Sequence, residues 1–253
     1  MTTSLNYNRA FWNAVRGKNA NKADLSEGFD SSFGGYVYPN GFSNDYTAAL
    51  AKENLFRRYG TIVQAPTKEG FLQTVTSTAD AEFIGEGVAY PEDADSFSKI
   101  PFDSYKIAAL TRLSADFVTD MDFDLDKYLR NEFARRFGRP EENACINGSG
   151  EGEPYGLLNG AQTGVTASSA ASLTYDEVIS LYFSLKPEYR RNAAWLMNDV
   201  TGLALRKLKD MNGNNLWRES DDTILGKPVV FSPYMPDAGS GSKPVAIGDL
   251  SFY

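Results

Sequence analysis

The chain begins with a stretch that is poor in hydrophobic residues. Phe11, Trp12 and Val15 form a short amphipathic turn, and Asn, Lys, Ser, Gly and Asp dominate the rest of residues 1–33. Such a composition buries too little apolar surface to offset the entropy lost on ordering. The pattern therefore predicts an arm over residues 1–33, which is either a frayed terminus or a segment held by packing on another surface.

A β-prone region follows a short helix. Apolar residues at helical spacing predict the helix over 42–53. Runs rich in β-branched and aromatic residues then indicate strands, and the alternation changes phase near Asp103 and Ser104, which predicts a bulge or a bend there. The proposed strands are 61–63, 71–75, 82–84 and 99–113.

The strands of this region are predicted to form a long two-stranded ribbon that extends from the rest of the chain. The polar segment 85–93 between them contains Gly and Pro and is too long for a tight turn. An isolated two-stranded ribbon is marginally stable in water. We therefore expect the ribbon to need a surface to lie on, and the chain offers no obvious one of its own.

The longest helical pattern starts near residue 122. Leu125, Leu129 and Phe133 recur at helical spacing, and Asp122, Asp124 and Asp126 precede or open the helix, where acidic side chains favour the helix dipole. Gly138 and Pro140 predict an interruption, with a kink or a step at the proline. Asn147 and Gly148 predict the end of the helix.

Helices and strands alternate from residue 173 onward. Thr174 and Glu177 form a capping box that opens a helix, and 193–197 is a continuous apolar run typical of a buried strand. A second helix carries Val200, Leu203 and Leu208. Two further strands are predicted over 228–231 and 244–247. From residue 173 the pattern is therefore that of an α/β region.

Composition removes several kinds of chemistry. The 253 residues include no His, which excludes Ser-His-Asp and Cys-His catalysis and every imidazole metal ligand. The single Cys145 excludes an intramolecular disulfide and a multi-cysteine zinc site. The net charge of −8 argues against strong non-specific binding of nucleic acid, because such binding needs clustered Lys and Arg side chains. No apolar run reaches the length of a membrane span.

The remaining chemical candidates are weak. Glu82 and Glu86 would point to one face of a strand, as paired acid–base carboxylates do, but they lie beside the tip of the ribbon. The glycine-rich segment 148–152 lacks the Gly-Lys-Ser/Thr ending of a phosphate loop and follows a helix instead of preceding one. We therefore assign no catalytic, cofactor-binding or metal-binding residue and expect no cofactor.

An ordered series of short motifs resembles the major capsid proteins of tailed bacteriophages, the family with the Hong Kong 97 fold. The similarity spans nearly the whole chain from about residue 33. The motifs are Gly34-Gly35-Tyr36-Val37-Tyr38-Pro39, Gly85-Glu86-Gly87, Pro91-Glu92, Phe97-Ser98-Lys99, Ile146-Asn147-Gly148-Ser149-Gly150, Pro154-Tyr155-Gly156-Leu157-Leu158-Asn159, Leu185-Lys186-Pro187, Asn192-Ala193-Ala194-Trp195-Leu196-Met197-Asn198-Asp199, Leu225-Gly226-Lys227-Pro228-Val229 and Ile247-Gly248-Asp249.

The resemblance implies an α+β fold of the Hong Kong 97 type, with four parts. Residues 1–33 would be an N-terminal arm laid across a neighbour, and 66–100 an extended loop that overlaps an adjacent subunit. Residues 34–65 and 101–172 would form the peripheral domain with its long spine helix, and 173–253 an α/β axial domain. The subunit-contact candidates are Phe11, Trp12, Glu86, Tyr90, Pro91, Glu92, Lys99, Arg190 and Arg191.

The same resemblance implies a structural function. The chain would be a subunit of a phage or prophage icosahedral shell, assembling into hexamers and pentamers that enclose the DNA genome. Its further partners would be a scaffold, a maturation protease, a portal and packaged DNA, the last by weak non-specific contact, with no membrane partner. It would reside in the virion capsid, and in the host cytoplasm before assembly.

Two departures from the family pattern lead to expectations. Crosslinking relatives carry a lysine where this chain has Tyr90, so we expect no covalent crosslink through that position. Family chains usually continue past Gly248 and Asp249 through further strands, which suggests a shortened form or the product of a defective prophage. Alternative functions are an encapsulin-like compartment shell, a carboxylate-dependent hydrolase using Glu86, and a monomeric binding module.

Overall fold

The structure is a computed structural model, and its residues fall into two compact units. One unit comprises 63–106, and the other comprises 1–62 together with 107–253. The residues described are 5–26, 29–30, 35–36, 40–63, 67, 69–77, 83, 96–114, 116, 118, 123–169, 172–217 and 222–252.

The N-terminal region is regular where the sequence predicts a frayed or externally held arm. Helix α1 spans Leu5–Val15 and α2 spans Lys22–Ser26, and the two-residue strands β1 (Phe29–Asp30) and β2 (Gly35–Tyr36) pair antiparallel. Tyr7 and Ala10 are buried on α1. The sequence predicted only a short amphipathic turn here, whereas residues 5–15 form a helix of three turns.

Two helices follow. Helix α3 spans Asn40–Glu53, which confirms the helix predicted over 42–53, and α4 spans Leu55–Tyr59. Asn54 separates them, and its side-chain oxygen accepts a hydrogen bond from the Phe56 amide at 2.9 Å, which caps the start of α4.

The smaller unit contains an antiparallel ribbon. Strand β3 spans Gly70–Ser77 and β4 spans Ser96–Phe102, with a register shift between Val75 and Ser77. The predicted longer strand over 99–113 is wrong beyond Phe102, and 61–63 is not a strand. In the part of the chain that the structure describes, neither segment has a partner strand, and β-propensity alone does not form a ladder. The phase change near Asp103 therefore marks the end of a strand, not a bulge.

A single helix, α5, spans Leu125–Asn147 without interruption. The predicted interruption is wrong because buried residues anchor the helix on both sides of Pro140, namely Ala134 and Gly138 before it and Ile146 after it, whereas a kink at Pro140 stays a prediction. Gly138 serves close packing: a Cβ there would lie 2.9 Å from the Glu53 Cβ of α3. Helix α5 therefore continues through a proline because tertiary packing outweighs the missing hydrogen bond.

The remaining elements form a mixed four-stranded sheet with short helices. The sheet order is β6-β7-β5-β8, with β5 parallel to β7 and antiparallel to β8. The predicted strands near 193–197, 228–231 and 244–247 are confirmed, and β6 was not predicted. The elements are α6 (Leu157–Gly160), α7 (Tyr175–Ser184), α8 (Pro187–Arg190), β5 (Ala194–Met197), α9 (Asp199–Arg206), β6 (Thr223–Ile224), β7 (Lys227–Phe231) and β8 (Val245–Gly248), followed by a 3-10 turn at Leu250–Phe252.

Strand β5 is buried on both faces and joins two hydrophobic clusters. Ala194 and Leu196 point into a cluster that contains Ile146 of α5. Trp195 and Met197 point into the other, which lies against α7 and α9. The Trp195 indole donates a hydrogen bond to the Ile224 carbonyl at 3.0 Å, so its one polar atom is satisfied inside the core.

Candidate subunit-contact surfaces

The two aromatic candidates of the arm lie on α1. Phe11 and Trp12 are half-buried, and their rings meet edge to face with centroids 5.3 Å apart. Arg16, just beyond the helix, donates a hydrogen bond to the Phe123 carbonyl at 3.2 Å. The arm therefore makes at least one contact within its own chain, and each of the two rings keeps part of its surface exposed.

One face of the ribbon is an exposed apolar strip, which we define as Phe71, Val75 and Phe97. Residues paired across an antiparallel ladder share a face, and Val75 pairs with Phe97 while Phe71 pairs with Pro101. Phe71 is 66% exposed and Phe97 is 69% exposed. Lys99, one of the predicted contact residues, lies on this same face opposite Gln73 and is exposed. This face of the ribbon thus combines aromatic rings with the cation of Lys99.

The opposite face of the ribbon is held together locally. The Thr74 and Ser98 hydroxyls hydrogen-bond across the strands at 2.9 Å, and Leu72 pairs with Ile100. The Phe102 ring lies over Gly70, where a Cβ would come within 2.6 Å of it. Leu72 and Ile100 are nevertheless exposed, so both faces of the ribbon present apolar side chains to solvent.

The other predicted residues of the loop lie outside the described residues. These are Glu86, Tyr90, Pro91 and Glu92. The expected absence of a crosslink at Tyr90 therefore remains a prediction.

The adjacent arginines Arg190 and Arg191 differ in their surroundings. The Arg190 guanidinium donates to the carbonyls of Leu185 at 2.6 Å and Phe183 at 2.7 Å, and it lies over the Tyr182 and Phe183 rings. It thereby satisfies carbonyls at the C-terminal end of α7. The Arg191 side chain is exposed, and its carbonyl accepts a hydrogen bond from Lys227. The structure therefore gives Arg190 a role inside its own chain and leaves Arg191 directed to solvent.

Helix α9 carries an exposed apolar pair that sequence reasoning did not select. Val200 is 63% exposed and Leu203 is 54% exposed, whereas Thr201 and Leu205 on the same helix are buried. The ring of Phe231 packs so closely on the helix that a Cβ at Gly202 would lie 2.5 Å from it. The sequence signal for this arrangement was the pair of small residues Thr201 and Gly202, because small side chains allow another element to pack closely on that side of a helix. The opposite side, with Val200 and Leu203, is then the exposed one.

The loop after α5 is filled by its own backbone and side chains. A Cβ at Gly148 would lie 2.1 Å from the Pro154 carbonyl oxygen, and the Asn159 side-chain amide donates a hydrogen bond to the Gly148 carbonyl at 2.7 Å. The Ser149 amide and hydroxyl donate to Glu153 and lower the pKa of that carboxyl. The glycines of this motif therefore serve a compact turn and leave no cradle for a phosphate.

Two kinds of site are not found among the described residues. In that part of the chain, no three Cys, Asp or Glu side chains are grouped so that they could hold a metal ion. Likewise, no described helix combines the length and the apolar character needed to cross a membrane.

Known proteins with similar sequences are phage capsid proteins. Residues 34–253 match the model of the phage capsid family. The probable major capsid protein gp17 of Mycobacterium phage D29 is 23% identical over 243 residues, covering 90% of this chain and 74% of that protein. The capsid polyprotein of Pseudomonas phage PAJU2 is 22% identical over 227 residues, covering 83% of this chain but only 33% of the polyprotein.

Solved structures with a similar fold include a GTA capsid and a structure from a bacteriophage. The capsid of a native GTA particle superposes with a TM-score of 0.66 at 28% identity, covering 81% of this chain and 74% of that one. The structure from Mycobacterium phage Adephagia has a TM-score of 0.58 at 13% identity and covers 92% of this chain and 76% of its own; it shows the shared fold alone. The chain has the α+β capsid fold and belongs to the phage capsid family.

Proposed function

We propose that copies of this chain assemble into hexamers and pentamers of a phage or prophage shell by covering each other's ribbons. Family membership makes the chain a structural component of a virion capsid rather than an enzyme. The observation that carries the finer proposal is the ribbon, since both of its faces expose apolar side chains. Two strands alone are marginally stable, and contiguous exposed apolar surface marks an interaction site.

A neighbouring copy supplies what the ribbon lacks. In a closed symmetric assembly, each subunit places its ribbon on one neighbour and is itself covered by the ribbon of another neighbour. The apolar strip of Phe71, Val75 and Phe97 would lie against the neighbour, and Lys99 would contact a carboxylate at the rim. Glu86, Tyr90, Pro91 and Glu92 would extend this contact at the tip, while Phe11, Trp12 and Arg191 contribute from the other unit.

The parts of the chain take the roles that the family resemblance implies. Residues 1–33 act as the arm, 66–100 as the extended loop, 34–65 and 101–172 as the peripheral domain, and 173–253 as the axial domain. The shell is built in the host cytoplasm, with a scaffold, a maturation protease and a portal as partners, and it encloses the genome with only weak contact to DNA.

The test replaces the exposed rings of the strip. The variant Phe71→Ser/Phe97→Ser is compared with the unaltered chain by light scattering and electron microscopy of purified protein. We expect the unaltered chain to form large particles and the variant to remain small, with an unchanged circular dichroism spectrum. The matched control Gln73→Ser lies on the same face and should assemble normally. Equal assembly by all three proteins would refute the proposal.

A further inference from the structure

Helix α5 has a charge distribution unlike that of the chain as a whole. The chain carries a net charge of −8, yet α5 has five cations against four carboxylates. Of the carboxylates, Glu142 is buried and Glu132 is 11% exposed, while Asp126 and Glu141 are half-buried. The carboxylates of this helix are therefore less exposed than its cations Arg135, Arg136 and Arg139.

Five of the exposed residues of α5 form a row of cations and amides without any acid. We define the basic row as the five exposed residues that follow one another at intervals of four along this helix, from position 127 to position 143. Residues at this spacing are neighbours on a helix surface, about 6 Å apart along the axis. The members of the basic row are Lys127, Asn131, Arg135, Arg139 and Asn143.

The cations of the basic row are only partly neutralised. Arg135 shares the single Glu132 carboxylate with Arg136, which lies beside the row, at nitrogen–oxygen distances of 2.6 and 2.7 Å. Arg139 reaches Glu53 of α3 at 3.5 Å and is 57% exposed. Exposed pairs of this kind are weak and leave the guanidinium nitrogens accessible to a stronger acceptor.

An open groove between α3 and α5 continues this surface. It has a volume of about 400 Å³, and Lys52 and Lys127 line it together with Arg130. The two carboxylates in its wall are both engaged, because Asp45 pairs with Arg130 and Glu53 with Arg139. The basic row and the groove together present five cations, Lys52, Lys127, Arg130, Arg135 and Arg139, and the adjacent Arg136 adds a sixth. Four paired carboxylates lie among or beside them, Asp45, Glu53, Asp126 and Glu132.

We propose that the basic row, with Lys52 beside it, binds the phosphate backbone of duplex DNA without reading its sequence. From Lys127 to Arg139 the row extends about 18 Å along the helix axis. That length matches about five base pairs at about 3.4 Å of rise each. Arginine and lysine bind phosphates electrostatically, and asparagine amides donate to phosphate oxygens. Since the rest of the chain is acidic, the binding is local, weak and sensitive to salt.

A single chain carries this whole surface, so DNA binding does not require assembly. The test uses fluorescence anisotropy of a labelled 30-base-pair duplex of mixed sequence, titrated with the full chain between 20 and 200 mM NaCl. The Debye length falls from about 20 Å to about 7 Å over this range of salt. The variant Lys127→Gln/Arg135→Gln/Arg139→Gln removes three charges from the basic row. The control Lys106→Gln/Lys207→Gln/Lys209→Gln removes three exposed charges elsewhere.

The two variants separate local phosphate binding from a general charge effect. We expect the row variant to bind about tenfold or more weakly at low salt, and its log–log salt slope to fall by about 0.9 for each phosphate that the row no longer neutralises. The control should bind as the unaltered chain does. Equal weakening of both variants, or the absence of any binding at 20 mM NaCl, would overturn the proposal.

Two further measurements complete the test. Asn131→Asp/Asn143→Asp keeps every cation but adds carboxylates to the row, so it should also weaken binding, whereas an unchanged affinity would contradict phosphate binding there. Polyglutamate serves as a competitor: if it binds more tightly than DNA at equal charge concentration, the partner is an acidic protein segment and the proposal fails. Particle formation by the row variant, followed by light scattering, reports on the proposed shell function independently.

Discussion

At the residue scale, one buried carboxylate joins three separate parts of the chain. Glu142 of α5 accepts a hydrogen bond from the Leu55 amide at 3.1 Å and another from the Ser232 hydroxyl at 2.5 Å. The adjacent Glu141 binds the Arg57 guanidinium through two hydrogen bonds, and the Arg57 pKa is raised chiefly by this bonding. Neighbouring carboxylates thus attach α4 and the segment after β7 to the same turn of α5.

Replacing Glu142 by alanine is expected to destabilise the fold. The substitution leaves the Leu55 amide and the Ser232 hydroxyl without their acceptor in a buried place, and each unsatisfied group costs about 1–3 kcal/mol. We expect the free energy of unfolding, measured in urea, to fall by about 2–4 kcal/mol. Glu151→Ala, at an exposed position of the following loop, should change it by less than about 0.5 kcal/mol. Equal stability of the two variants would contradict this role.

The capping carboxylate Glu177 makes stability depend on pH. It accepts hydrogen bonds from the Ser168 amide and hydroxyl and from the Thr174 amide, and these lower its pKa from 4.5 to about 2. Because the pKa is lower in the folded state, the stabilisation is fully present above about pH 4.5 and is lost as the pH falls towards 2.

The Glu177 contribution can be isolated by substitution. We expect Glu177→Gln to be less stable than the unaltered chain at pH 6, and the difference to shrink steadily between pH 4.5 and pH 2. Urea unfolding of both proteins across this range measures it. A difference that stays constant with pH would show that the charge of Glu177 does not matter.

At the element scale, the turn after α5 shows why glycine occupies a position with an ordinary backbone conformation. Gly148 has a φ of −56°, so a left-handed conformation is not the reason for it. A Cβ there would meet the Pro154 and Ala144 carbonyl oxygens at 2.1 and 2.4 Å, and backbone atoms cannot move aside as a flexible side chain can. The helix-ending glycine was predicted from the sequence, but its crowding arises only when residues 148–156 fold back.

Gly148→Ala is therefore expected to be among the more damaging small substitutions. Overpacking of this kind costs about 1–3 kcal/mol, and the rigid neighbours favour the upper end. We expect a comparable loss of unfolding free energy in urea. Gly248→Ala is the matched control because a Cβ there meets nothing within 4 Å, and it should be nearly neutral. If both variants unfold at the same denaturant concentration, crowding is not the reason for glycine at position 148.

Elements were predictable where local signals and packing agree. Thr174 and Glu177 form the capping box that the sequence indicates, and β5 is the continuous apolar run expected of a strand buried on both faces. The predictions were wrong where the local structure depends on a strand or helix from elsewhere in the chain. Residues 103–113 were predicted to continue a strand but have no ladder in the described part of the chain, and Pro140 is tolerated because α5 is packed on either side of it.

At the scale of the whole molecule, the exposed pair on α9 is expected to form a second assembly surface. Val200 and Leu203 face away from the core cluster that the rest of the helix packs against. Val200→Asn/Leu203→Gln should leave the fold intact, because both side chains are exposed, but reduce particle yield several-fold in light scattering. Lys207→Gln, at the end of the same helix, should assemble normally. Unimpaired particles from the α9 variant would remove this surface from the assembly.

The sequence by itself determined the class of the fold, the position of most helices and of the strands buried in the core, and the family resemblance carried by short motifs in order. These depend on local periodicity, caps and turn residues, which are encoded over a few positions. Only the tertiary structure decided which carboxylate of the Glu141–Glu142 pair is buried and which face of α9 is exposed. It also decided that Arg190 forms contacts within its own chain, and that both faces of the ribbon are exposed. Those outcomes depend on residues distant in the chain, such as Leu55 and Ser232 around Glu142, and such neighbours come together only after the chain has folded.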